Sequence, residues 1–204
     1  MFDLLAKGGV LTTPILLCSV VALAIFMERL IRLGSLRRKG LTVTERVVAR
    51  LAQKDYEGAR LEARRNPSPL GRVLGQGLEV ADKDRETLET VLAHSIEEEA
   101  RELSRYLQAL ATIANIAPLL GLLGTVLGMI KAFMAIQELG GKVNAAVLAG
   151  GIWEAMLTTA LGLAVALPTM VAHSYLVGLV DLHEARLRGG AVSFLKSLAL
   201  LRAA

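Results

Sequence analysis

The 204-residue chain has one cysteine, three histidines and only 4% aromatic residues. Each shortage closes off a class of protein. Cys18 stands in an apolar run and cannot make an internal disulfide, so its expected role is that of a small buried side chain. No two of His94, His173 and His183 stand at a metal-ligand spacing with a carboxylate, and no metal or cofactor is expected. His173 and Ser174 are adjacent. On a helix they point apart, which rules out a direct nucleophile–base pair, so the chain is not expected to be an enzyme. Neither β-strand alternation nor an internal repeat is present.

Charge is also missing, over three long runs. Gly8 to Met27 and Tyr106 to Ile130 carry none, and Glu154 is the only charged residue from Val143 to Val180. About 20 apolar residues cross the hydrocarbon core of a bilayer. With 53% apolar residues and a mean hydropathy of +0.50, the chain reads as an all-α integral membrane protein with three transmembrane helices. Ala22 and Ala24 form a small-residue pair of the cleavable signal-peptide type. Only Lys7 precedes the first apolar run, however, and the basic residues follow it, so the run is expected to be retained as a span.

Lys and Arg near the spans set the expected orientation. Six follow the first span, from Arg29 to Arg46, Arg101 and Arg105 precede the second, and Arg186, Arg188 and Lys196 follow the third. The other side has Lys7, Lys131 and Lys142. The reading is therefore 1–33 as an outer (periplasmic) amino terminus and first transmembrane helix, 34–106 as a cytoplasmic helical region, and 107–136 as the second transmembrane helix. An outer connection follows at 137–150, the third transmembrane helix at 151–178 and a cytoplasmic helical tail at 179–204. The cytoplasmic segment from Arg29 to Arg105 interleaves 16 basic with 13 acidic residues, and Tyr56 is its only aromatic. That composition describes a solvated, salt-bridged surface and excludes a nucleic-acid-binding stripe.

Within that segment, Thr42 or Thr44 is expected to cap a helix through Gln53, Asp55 to start one running to Arg65, and the prolines of NPSPLG (Asn66 to Gly71) to separate it from a third, Leu70 to Ala81. From Asp84 the chain has neither glycine nor proline up to Asn115. A single helix of roughly 50 residues running on into the second span, about 75 Å long, is therefore expected to extend into the cytoplasm. The third span is expected to continue to Arg188 and to break at Gly189-Gly190.

The second span contains APLLGLLGTVLGMIKAF, which places Gly121 and Thr125, and Gly124 and Gly128, four apart. Small residues at that spacing let another helix approach closely, which in lipid replaces the missing hydrophobic drive. Thr125 has two readings: its hydroxyl bonds back to its own helix, or it faces a wet path. The third span reads GIWEAMLTTALGLAVALP, with Thr158, Gly162 and Ala166 four apart and Glu154 one turn before Thr158. Thr158 and Thr159 lie about 100° apart on a helix and cannot both face one groove. Glu154 fits either an interfacial carboxyl stabilised by the helix dipole or the lining of an aqueous entry.

These two motifs, in this order and around a short connection, resemble the ExbB/TolQ/MotA family of proton-channel subunits. With three spans rather than four, the chain is most similar to the ExbB and TolQ branch. The resemblance implies a homopentamer in the bacterial inner membrane, whose second and third spans line a pore. The pore holds the single spans of an ExbD- or TolR-like partner carrying a protonatable aspartate, and a TonB- or TolA-like protein receives the work. By motif, the family's pore threonines fall on Thr125 and Thr159, its third-span glutamate on Glu154 and its proline on Pro168. Gly121, Gly124, Gly128 and Gly162 would serve helix packing. The implied function is a proton-channel subunit that uses the proton motive force to energise outer-membrane transport or envelope maintenance. The alternative is a passive scaffold assembled by small-residue packing, which accounts for the glycines but not for Thr125, Thr159 and Glu154 together.

Overall fold

The computed structural model describes residues 10–39, 41–138 and 145–203. Almost all of them are helical: α1 (Thr12–Lys39), α2 (Leu41–Ala52), α3 (Tyr56–Arg65), α4 (Pro69–Glu79), α5 (Arg85–Leu103), α6 (Leu107–Glu138) and α7 (Ala145–Ala203). No strand occurs among the described residues. α1, α6 and α7 each contain a stretch long and apolar enough to cross a membrane. The protein is thus an all-helical membrane protein, as the three uncharged runs predict. α7 starts at Ala145, ahead of the expected 151. Residues 139–144 of the expected connection, and with them Lys142, lie outside the described residues, as does Lys7.

The chain divides into two compact units, one formed by Met1–Glu28 with Tyr106–Tyr175 and one by Arg29–Arg105 with Leu176–Ala204. The first unit is built on a seam of small residues between α6 and α7. A Cβ added to Gly121 would lie 2.9 Å from Thr159 Cα, and one added to Gly128 would lie 2.9 Å from Ala155 Cβ. From the other side, Gly151 meets Ala132 at 2.7 Å and Gly162 meets the carbonyl oxygen of Ala117 at 2.6 Å. The contacts descend one helix as they ascend the other, so the pair is antiparallel. Its helices approach as backbones rather than as side chains. Large apolar groups point away from the seam: Leu119, Leu122, Phe133, Trp153, Met156 and Leu167 are all exposed.

The second unit packs α2, α3, α4 and α5 with the end of α7. Val47, Leu51, Val73, Leu74 and Leu92 are buried, and α7 adds Leu187, Ala191, Phe194 and Leu198 at helical spacing. Local chemistry fixes the helix starts. Asp55 accepts from the Gly58 N–H at 2.8 Å and Ser68 from the Gly71 N–H at 3.1 Å. Asp84 accepts from both the N–H and the hydroxyl of Thr87, at 2.9 and 2.7 Å. Those bonds, the backbone one first, hold the Asp84 carboxyl below its usual range. Neither Thr42 nor Thr44 caps α2, which already begins at Leu41. Glu99, which interrupts the apolar spacing of α5, is paired in a two-pronged bond with Arg72 of α4.

Two expectations about helix length fail. The 50-residue helix from Asp84 is interrupted at Ser104–Tyr106, where Tyr106 adopts a left-handed backbone with φ of 65°. Neither glycine nor proline marks that break, and residues from another part of the chain bond to the end of α5. The Arg29 guanidinium donates to the Glu102 carbonyl at 3.2 Å, and Arg32 pairs with the Glu102 carboxylate at 2.6 Å. The Glu102 carbonyl, which also accepts from the Arg105 N–H at 3.4 Å, is thus satisfied without a following turn of α-helix. Conversely, α7 does not break at Gly189-Gly190 but continues to Ala203. Gly190 is there for closeness: a Cβ would lie 2.5 Å from Leu70 Cδ1 and 3.2 Å from Thr44 Oγ1. A glycine permits a break but does not compel one.

Two substitution pairs check these packings. Gly190→Val should cost about 1–3 kcal/mol of stability by overpacking, seen as a lower thermal midpoint of the detergent-solubilised protein. Gly189→Ala, with nothing within 4 Å of the added carbon, should be neutral or slightly stabilising. In the seam, Gly162→Val should lower the midpoint and weaken assembly, whereas Gly178→Val, also in open space, should leave assembly intact.

Candidate functional site

Polar side chains are scarce along the seam, and their placement follows from the helical period. Thr158 lies in the seam and is 2% exposed. Its hydroxyl donates to the Ala155 carbonyl at 2.7 Å, and a Cβ on Gly124 would collide with it. Thr159, one residue on, is partly buried and donates across to the Gly121 carbonyl of α6 at 2.8 Å. Thr125, one residue past Gly124 and four past Gly121, donates to the Leu122 carbonyl of its own helix at 2.6 Å.

Each of Thr125 and Thr159 thus stands about 100° past a seam residue in the chain direction. In two antiparallel right-handed helices that face each other, such a rotation leads to the same side of the pair. Both hydroxyls therefore flank one side of the seam, among the exposed side chains of Leu122, Val126, Met156 and Leu163. The residues just ahead of α1 lie on the other flank. Val10 and Leu11 border a small cavity with Leu127, Lys131 and Glu154. Deeper along the pair, Ser19, Ala22 and Phe26 share a groove with Val165, Thr169 and Pro168.

Glu154 does not join the threonines. It lies five residues before Thr159, about 140° around α7. Because α7 begins at Ala145, Glu154 is also well past the first turn, where the helix dipole acts. What faces it is Lys131 of α6, with Nζ 3.3 Å from a carboxylate oxygen. Sequence reasoning counted Lys131 only towards orientation. The available signal was that Lys131 is the only base from Tyr106 to Gly141, and Glu154 the only acid from Val143 to Val180. The small residues Ala117, Ala132, Gly151 and Ala155 were missed for a different reason. They extend the four-and-three spacing of the seam beyond the glycine motifs. Pro168, expected as a packing residue, sits inside α7 with its side chain exposed to the groove beside α1.

Chemically, each of the two flanking hydroxyls has its proton committed to a carbonyl and its oxygen lone pairs free. Such an oxygen accepts a bond from a protonated group. By rotating its O–H away from the backbone it donates to a deprotonated one instead. Neither Thr125 nor Thr159 titrates, so each can serve a proton-bearing group in either state without itself gaining charge in a low-dielectric setting.

Comparison with known proteins gives the family of the chain. Residues 65–188 match the model of the MotA/TolQ/ExbB proton channel family. A putative biopolymer transport protein ExbB homolog of Methanothermobacter thermautotrophicus is 30% identical over 185 residues, covering 89% of this chain and 64% of the relative. The putative biopolymer transport protein ExbB-like 1 of Synechocystis sp. is 34% identical over 185 residues, 88% of this chain and 71% of the relative. The biopolymer transport protein ExbB of Salmonella typhimurium is 30% identical over 183 residues, 85% and 74%. The chain thus spans roughly two thirds to three quarters of the length of these relatives. With the family's span of matched residues running from the end of α3 into the last part of α7, the chain belongs to the MotA/TolQ/ExbB proton channel family.

Proposed function

We propose that this chain is the channel subunit of an inner-membrane complex that lets protons run down the proton motive force and energises outer-membrane transport or envelope maintenance. Its amino terminus lies on the periplasmic side. Five copies surround a pore, with the Thr125 and Thr159 flank of α6 and α7 facing inward and α1 facing outward. The single spans of an ExbD- or TolR-like partner occupy the pore, and a TonB- or TolA-like protein takes up the work.

The observation that carries this reading is the shared flank. Two hydroxyls lie on one side of the helix pair, opposite the side where Val10 and Leu11 meet Lys131 and Glu154. Apolar surroundings strengthen any hydrogen bond made there. A partner aspartate passing this flank finds acceptors when it carries a proton and donors when it has released it. The hydroxyls exchange their backbone bonds for bonds to the carboxylate, and the small net cost of that exchange keeps the aspartate from being trapped in either state.

A second reading, a passive scaffold, draws on the same bonds, since both hydroxyls already have intramolecular acceptors. Proton flux separates the two. When the chain is reconstituted in liposomes with its one-span partner, Thr125→Val and Thr159→Val should abolish flux and cellular energy transduction while pentamers still form by native mass spectrometry. Glu154→Ala should have a milder effect, linked to assembly. If wild-type protein leaks no protons under a gradient and Thr159→Val functions normally in cells, the scaffold reading holds. A monomer or dimer by mass spectrometry would contradict the pore, because one three-span subunit cannot enclose a helix.

A further inference from the structure

The seam between α6 and α7 holds the two helices close but says little about their register. On α6 it runs Ala117, Gly121, Gly124, Gly128, Ala132, and on α7 Gly151, Ala155, Thr158, Gly162, Ala166. Both series step by four, three, four and four. Sliding one helix along the other by one step would set Ala132 against Ala155, Gly128 against Thr158 and Gly124 against Gly162. Every facing pair would still be small. Packing alone therefore permits at least two registers about one helical turn, or 5.4 Å, apart.

Two directional contacts distinguish them. One is the Thr159 hydroxyl on the Gly121 carbonyl, but a backbone carbonyl recurs at every residue, and one step on another is offered. The other is Lys131 with Glu154. It is unique, because α7 has no other acid from Ala145 to Val180 and α6 no other base. After a one-step slip, Lys131 would face a neutral stretch of α7 and Glu154 a neutral stretch of α6. Both charges would lose their counter-charge beside an apolar seam, which disfavours the slipped register.

We infer that Lys131 and Glu154 form a register key. They are positioning residues that fix the axial offset of α6 and α7, and through it the relative heights of Thr125 and Thr159. The key acts from the far flank, about 140° around α7 from Thr159. Its effect on proton transfer is indirect: it neither accepts nor delivers the proton. A one-turn slip would move one hydroxyl past the other by more than a hydrogen bond can span. The link to proton transfer rests on the function proposed above, whereas the register claim does not.

The test uses full-length protein with Cys18→Ser and reads register and flux separately. Ala132→Cys with Gly151→Cys reports the native register, the seam opening by about 1 Å to reach the Cβ spacing of a disulfide. Ala132→Cys with Ala155→Cys reports the slipped one. Against the otherwise unaltered background, oxidation should link 132 to 151 and not to 155. Lys131→Glu and Glu154→Lys, each alone, should lose most of the native cross-link, gain the slipped one and lose proton flux. The combined charge swap should regain the native link and flux, and Lys131→Arg should retain both. Single reversals that keep the native cross-link would overturn the register key. So would a combined swap that restores the cross-link but not flux, since Glu154 would then be needed as a proton carrier. Cross-links that respond as stated while wild-type protein conducts nothing would leave the register claim standing and remove the channel reading instead.

Discussion

Close approach of α6 and α7 is the constraint on which the membrane unit depends. In water, two helices are pressed together by the surface they remove from solvent. In lipid that drive vanishes, and what remains is contact between backbones and the hydrogen bonds such contact allows. Gly121, Gly128, Gly151 and Gly162 remove the side chains that would keep the helices apart. The Thr159 hydroxyl then reaches a carbonyl of the facing helix at 2.8 Å. The bulky residues displaced from the seam cover the outside, where lipid or neighbouring protein meets them. One arrangement thus provides adhesion and places the few polar groups relative to one another.

Much of this is legible in the sequence, for identifiable reasons. Runs without charge are unambiguous because a bilayer imposes a length and a polarity, and α1, α6 and α7 lie on those runs. Helix starts at Asp55 and Asp84 are legible because the capping interaction is local, and Ser68 starts α4 in the same way. The capping logic fails at Thr42 and Thr44, which lie inside α2. A hydroxyl earns a cap only if the chain before it leaves the helix.

Features set by distant residues were not legible. The end of α5 is bonded by Arg29 and Arg32, and at Gly190 α7 passes close against Leu70 and Thr44. Inspection of residues 84–115 or 181–204 alone could reveal neither. In the site, motif spacing located Thr125, Thr159 and Glu154 but not their grouping. That grouping needed the antiparallel pairing, which assigns the threonines to one flank and Glu154, with Lys131, to the other.

The tether between Arg29 and Glu102 spans 73 positions of sequence. The end of α5 is therefore held from a distance as well as by its own backbone, where the Glu102 carbonyl also accepts from the Arg105 N–H at 3.4 Å. Just beyond it, Tyr106 takes a left-handed backbone that an aromatic residue rarely adopts. A change at the foot of the first span thus reaches the junction where a much later helix stops.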